Sequence, residues 1–253
     1  MTQHLSAEAE HIIDSYTQLS IGGKKIRCPY YNNKKIKARA ALRVLVGKGS
    51  AQEIEEEAFL LALKEKVSLS EYSEEQITQF LVDHHLGIDC SAFAFYILNA
   101  ESNGKLQRHI RSVSTNILRR LLFRWRLVEN INVKTLADDK NSLPIPLEQI
   151  APGDIITIIG TAETQRDHVL IVRKVQKQKD KTISIEYVHS LQWKKDGLYN
   201  HGIRTGSMHI SDREAALAEQ GWEEDGYTNK EENETLQRIV NATRVELRRL
   251  NMK

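Results

Sequence analysis

Two cysteines in 253 residues, Cys28 and Cys90, are too few for a disulfide framework, and neither belongs to a paired C-x-x-C. A disulfide-stapled fold and a cysteine-ligated zinc ribbon are therefore excluded, and a reducing compartment is the default. With only 4 prolines and 13 glycines, the chain has no composition for a long disordered linker. No apolar run is long enough to cross a bilayer. Met1 to Leu19 lacks the basic start and apolar core of a secretory signal. The formal net charge is only +2, so the overall charge gives no reason to expect nucleic acid. A cytoplasmic location without a membrane partner is the expectation, and export by a signal-independent route is compatible with it.

What is present is a globular composition, 40% hydrophobic and 28% charged, on a length that suits one large domain. The expectation is a single domain over residues 1–253. The chain is organised around Gly87-Ile88-Asp89-Cys90-Ser91-Ala92-Phe93 and the apolar run that follows. Asp89 is a good helix N-cap, assisted by Ser91, which puts Cys90 in the first turn of a buried helix. Free N–H groups and the positive dipole end of that turn favour a thiolate, a known way to make cysteine a nucleophile. A buried small hydrophobe is the competing reading of the same residue.

Upstream, Ser6 to Leu19, Lys35 to Val46, Ser50 to Lys66 and Ser73 to His85 read as helices, closed by caps and glycines. Downstream, Lys105 to Val128 reads as one arginine-rich helix, with Ile110, Val113, Ile117, Leu118, Leu121, Leu122 and Trp125 at helical spacing. Its basic side is either a solvated face or a surface for an anionic partner. After Pro144 the character changes. Asp154 to Ile159, His168 to Val175, Thr182 to His189 and Gly202 to Ile210 read as strands rich in β-branched residues, with Asp180-Lys181 as a hairpin. A charged helix is expected over about 230–250, with Val245 and Leu247 among its packed positions.

A helix-borne cysteine needs a base, and the base an orienting partner. His168 opens the apolar strand His-Val-Leu-Ile-Val, and His189 ends the next one. In an antiparallel hairpin those two positions are neighbours. Asn200 to Arg204, a loop carrying His201 and Arg204, is a candidate lining of the cleft.

Asp-Cys-Ser at 89–91, Pro-Gly-Asp at 152–154 and His-Val at 168–169 resemble the NlpC-type cysteine peptidases, papain-like hydrolases of bacterial cell-wall peptides. The resemblance implies an α+β, papain-like core whose antiparallel sheet packs on the cysteine helix, with helical insertions over about 33–85 and 101–142. It implies Cys90 as nucleophile, His168 as base and His189 as the orienting residue. Pro29-Tyr30 resembles a family position whose tyrosine stabilises the oxyanion. Asp89, Ser91, His201 and Arg204 join Tyr30 as oxyanion- or substrate-side candidates. Where the family usually has Gly after Asp-Cys-Ser, this chain has Ala92. The implied reaction is cleavage of an amide in a peptide or peptidoglycan fragment, without metal or organic cofactor. A thiol acyltransferase on the same residues, or an inactive scaffold acting through its basic helix, are the alternatives.

Overall fold

The computed structural model describes residues 1–32, 43–161, 167–179, 181–193, 195–227 and 232–252. Its helices are α1 (Ala7–Thr17), α2 (Ala51–Glu65), α3 (Glu74–Asp83), α4 (Cys90–Glu101), α5 (Lys105–His109), α6 (Ile117–Trp125), α7 (Leu127–Asn130), α8 (Val133–Leu136) and α9 (Glu234–Val240). Its strands are β1 (Thr2–His4), β2 (Leu19–Ile21), β3 (Lys24–Ile26), β4 (Ser142–Pro144), β5 (Ile155–Thr161), β6 (His168–Gln178), β7 (Lys181–Leu191), β8 (Gly202–His209), β9 (Gly221–Glu224) and β10 (Ala242–Leu250). The fold is α+β. One eight-stranded sheet runs in the order β4-β10-β5-β6-β7-β8-β9, with β1 paired to β6. Its strand pairs are antiparallel.

The central strands are apolar nearly throughout because both faces of the sheet are covered. Side chains alternate between faces. Ile155, Val169, Ile171, Val188 and Ile203 join the helices α1, α2, α3 and α4 in one core. Ile156, Ile158, Leu170, Val172, Tyr187 and Met208 face the other way, toward Trp222, Leu236 and Ile239. The helix α4 is buried from Cys90 to Phe95 and again at Ile97 and Leu98. A helix apolar on all sides belongs in the middle of a core, and α4 lies between α1 and the strands β6 and β7. Tyr16 of α1 meets Phe93 edge-on at 5.5 Å.

Three expectations need correction. The charged tail is not one helix: α9 ends at Val240, and 242–250 form a strand that pairs with both β5 and β4. Val245 and Leu247 are two apart, which suits a strand, and the sheet supplies partners that an isolated helix would lack. The arginine-rich stretch is broken over Ile110–Asn116, where Ser112 and Ser114 side chains accept from the backbone of Ser114 and Asn116, both at 3.2 Å. Such local bonds compete with the helix, and Asn116 then caps α6. The helix expected over 35–46 falls mostly outside the described residues; Arg43–Val46 form a 3-10 turn. The remaining helices and strands lie within a few residues of their expected places.

Candidate active site

Asp89 is the N-cap of α4, accepting from the Ala92 N–H at 2.8 Å. Cys90 follows at the first helical position, where the backbone N–H has no acceptor within the helix. Only 6% of the residue is exposed. The ladder between β6 and β7 reaches only to Ile171 and Val188, so the ends that carry His168 and His189 are not paired with each other. Val172 turns its N–H to Asp154 on the β5 side. Val169, three residues away, therefore points its N–H into the opening toward β7, where it lowers the Cys90 thiol's pKa in part.

His168 and His189 meet as the hairpin geometry predicts. His168 Nε2 lies 2.7 Å from His189 Nδ1, with both residues buried and the rings at a T-shaped angle. By alternation with Leu170 and Tyr187 the two rings rise on the face away from α4, the helix that carries the thiol. Among the described residues no hydrogen bond joins Sγ to the His168 ring; the backbone N–H that acts on the thiol is that of the neighbouring Val169. Arg238, on α9, acts electrostatically on both Cys90 and His168, as the smallest influence named on each.

Electrostatics differ from the expected thiolate. Burial pushes the Cys90 thiol up to about 12, and Asp89 adds to this; Lys48, the Val169 N–H and Arg238 pull it back only in part. Burial and then the neighbouring His189 hold His168 well below the usual histidine range. The resting pair is a neutral thiol and a neutral imidazole. Desolvation of a closed site outweighs the helix dipole here.

A fourth residue, unread in the sequence, completes the row. Glu224 of β9 is buried and lies 3.5 Å from His189 Nε2. Among the described residues, His189 Nε2 and Glu224 Oε1 have no hydrogen-bond partner, while Tyr187 donates its hydroxyl to Glu224 Oε2 at 3.0 Å. The strand register sets this up: Tyr187 pairs with Gly206, and Gly206 with Glu224. A Cβ on residue 206 would collide with the Tyr187 phenol. Glycine there lets the tyrosine lie across β8 to the carboxylate. The only sequence sign was a glycine inside an otherwise ordinary strand. An open groove of about 520 Å³ touches Glu224 from outside, lined also by Glu186, Glu223 and Asp225. It meets the far end of the row, not the thiol.

The other candidates divide. Tyr30 is brought close despite the long insertion: its segment bridges to Ile88, with Ile88 N–H donating to Pro29 at 3.0 Å and Tyr31 N–H to Ile88 at 3.3 Å. His201 is buried and is no cleft ligand. Its Nδ1 accepts from the Tyr30 N–H at 3.1 Å, its other nitrogen serves the Leu198 carbonyl, and burial lowers its pKa. Arg204 is likewise consumed by the fold. It pairs with Asp196, donates to the carbonyls of Asn200 and Asp225, and stacks on Trp193 at 4.2 Å. Asp89 and Ser91 turn into a buried cluster. There Lys48 Nζ donates to Ser91 Oγ at 2.7 Å and to the Ile131 carbonyl at 2.8 Å, and contacts Asp89 Oδ2 at 2.7 Å. Their side chains build the helix start. Cys28 is fully buried, and burial raises its thiol.

Among the described residues no group of three or more His, Cys, Asp or Glu is arranged to hold a metal ion. No helix among them is long and apolar enough to cross a membrane. No protein-family model matches the chain, and neither does any curated protein or solved structure.

Proposed function

We propose that the chain is a cysteine hydrolase that cleaves an amide bond, with Cys90 as nucleophile, on a papain-like arrangement of helix and sheet. The observation that carries this reading is the buried 2.7 Å contact between His168 Nε2 and His189 Nδ1, on the two strands against which the helix that begins at Cys90 packs. The substrate class, a cell-wall-type peptide, rests on the resemblance of residues 89–91, 152–154 and 168–169 to NlpC-type peptidases.

The order of the polar groups assigns the protons. Glu224 favours a proton on His189 Nε2, which leaves His189 Nδ1 as acceptor for His168 Nε2–H. His168 Nδ1 then carries the lone pair that serves as base. As Sγ attacks the carbonyl carbon, its proton passes to Nδ1, a carbon–sulfur bond forms, and the carbonyl electron pair moves onto oxygen. The Cys90 N–H, lacking a helical acceptor, donates to that oxygen. Collapse breaks the carbon–nitrogen bond, and the amine leaves with the proton from His168. Water, deprotonated by His168, then attacks the thioester and releases the acid and the thiol. Because thiol and imidazole rest neutral, proton transfer accompanies attack. Substrate must also bring Sγ and Nδ1 together, since catalytic hydrogen bonds commonly tighten only in the complex.

A binding protein with an inert thiol is the second reading. It is favoured by the burial of Cys90, its raised pKa and the missing thiol–imidazole bond. Incubation with cell-wall peptide fragments followed by mass spectrometry separates the two. The hydrolase gains an acyl mass on the Cys90 peptide and releases an amine, and Cys90→Ala does neither. Cys28→Ala retains both. A folded chain that gives no adduct and no amine leaves the inert reading standing.

A further inference from the structure

Among the described residues the most exposed apolar helix face lies on α6, where the amphipathic pattern is turned inside out. Ile117, Leu118, Leu121, Leu122 and Trp125 are 55–87% exposed, whereas Phe123 alone of the helix is buried. At 3.6 residues per turn the five exposed residues fill one arc of about 140°. Arg120 and Arg124 fall along one edge of this arc and Arg119 along the other, with Phe123 on the far side as the anchor to the protein. Arg126 pairs with Glu129 at 3.2 Å, but among the described residues Arg119, Arg120 and Arg124 pair with no carboxylate. From Ser102 to Val128 the sequence contains Lys105 and six arginines and no Asp or Glu.

We propose that α6 docks the protein on an anionic lipid surface. Nine residues span only about 13 Å, far too short to cross a bilayer, but a helix with a wide apolar arc bordered by arginines and ending in tryptophan suits the interface plane. The aliphatic side chains enter the acyl boundary, Trp125 sits at the headgroup level, and the three unpaired guanidinium groups meet lipid phosphates. Charge complementarity selects this occupant: a groove-binding helix presents a narrow apolar stripe, and a nucleic-acid surface needs no leucines. This inference is independent of the thiol chemistry.

The test uses the full chain with vesicles of phosphatidylcholine, alone or mixed with phosphatidylglycerol. Trp193 and Trp222 are 1% exposed, so a change in tryptophan emission reports Trp125. The chain should float with the mixed vesicles and not with the neutral ones, and its emission should move to shorter wavelength. Replacing Leu121 and Leu122 by Glu should abolish both effects with the circular dichroism unchanged, since both residues are exposed. Replacing Arg119, Arg120 and Arg124 by Gln should weaken binding on the order of a hundredfold, at about a tenfold loss or less per charge. Absence of flotation and of the emission shift overturns the proposal. So does equal binding to neutral and anionic vesicles. A concentration-dependent dimer that the Glu variants abolish, without vesicle binding, would assign the face to a second copy of the chain instead.

Discussion

Glu224 is a positioning residue for the proposed reaction, acting on Cys90 only through His189 and His168. Glu224→Ala should lower kcat roughly ten- to a hundredfold with KM little changed, because one general-base contribution of about 10²–10⁴ is weakened rather than removed. Glu224→Gln, whose amide oxygen can face His189 Nε2 as the carboxylate does at 3.5 Å, should restore part of the rate; a Gln variant no better than Ala would deny the tautomer role. His168→Ala should be more damaging than His189→Ala, and His189→Asn or Gln should recover some turnover in steady-state assays. The thiol supplies a separate check. Because burial pushes Cys90 up to about 12, its alkylation by iodoacetamide should keep accelerating with pH beyond 9. A rate plateau near neutrality would mean a thiolate–imidazolium pair.

Lys48, at the bridge Lys48↔Ile88, ties the cysteine helix to the chain before it. Its side chain and that of Asp89 are 8% and 5% exposed, so removing the ammonium strands a buried carboxylate. Lys48→Ala should cost roughly 3–5 kcal/mol in urea unfolding, and adding Asp89→Asn should recover part of it. Full additivity of the two losses would argue against coupling. Gly206→Ala should cost about 1–3 kcal/mol as Tyr187 is forced aside. The hairpin β6–β7 was readable because apolar runs and a turn suffice to bring His168 and His189 near each other, just beyond the paired part of the ladder. Glu224 was not, since a carboxylate on a four-residue strand acquires meaning only through the register of β7, β8 and β9. His201 and Arg204 looked like cleft residues because a loop with His and Arg reads as surface. The fold hides both, against Tyr30 and against Trp193 with Asp196. Residues 242–250 misled because Arg, Glu and Leu fit a helix as well as a strand, and only pairing with β5 decides.

Buried groups act on the stability of the whole molecule in two pH windows, one acid and one alkaline. His168 and His201 are held below the ordinary value of about 6.5. Between that value and their folded ones, the unfolded chain binds protons that the folded chain refuses. Stability is therefore complete above about pH 6.5 and falls as the pH drops. His84, paired with Glu65 at the surface, acts in the opposite sense but is screened by solvent. Cys90 is raised, so its contribution is complete below about pH 8.5 and is lost as pH rises toward 12. The urea midpoint should be highest between these limits, and His168→Gln should flatten the acid side. An acid limb unchanged in that variant would mean the histidine is charged when folded. The strand β10 has a consequence in time rather than in energy. It sits between β4 and β5, so β5 has only one neighbour until Leu250 has been made. At about 5–20 residues per second, growth from Thr161 to Leu250 takes roughly 4 to 18 s. For that interval the nascent chain carries Ile155-Ile156-Thr157-Ile158-Ile159 as a bare, uncharged edge, the kind of strand that recruits other chains. A holdase chaperone bound to that segment during synthesis should therefore raise the yield of folded protein.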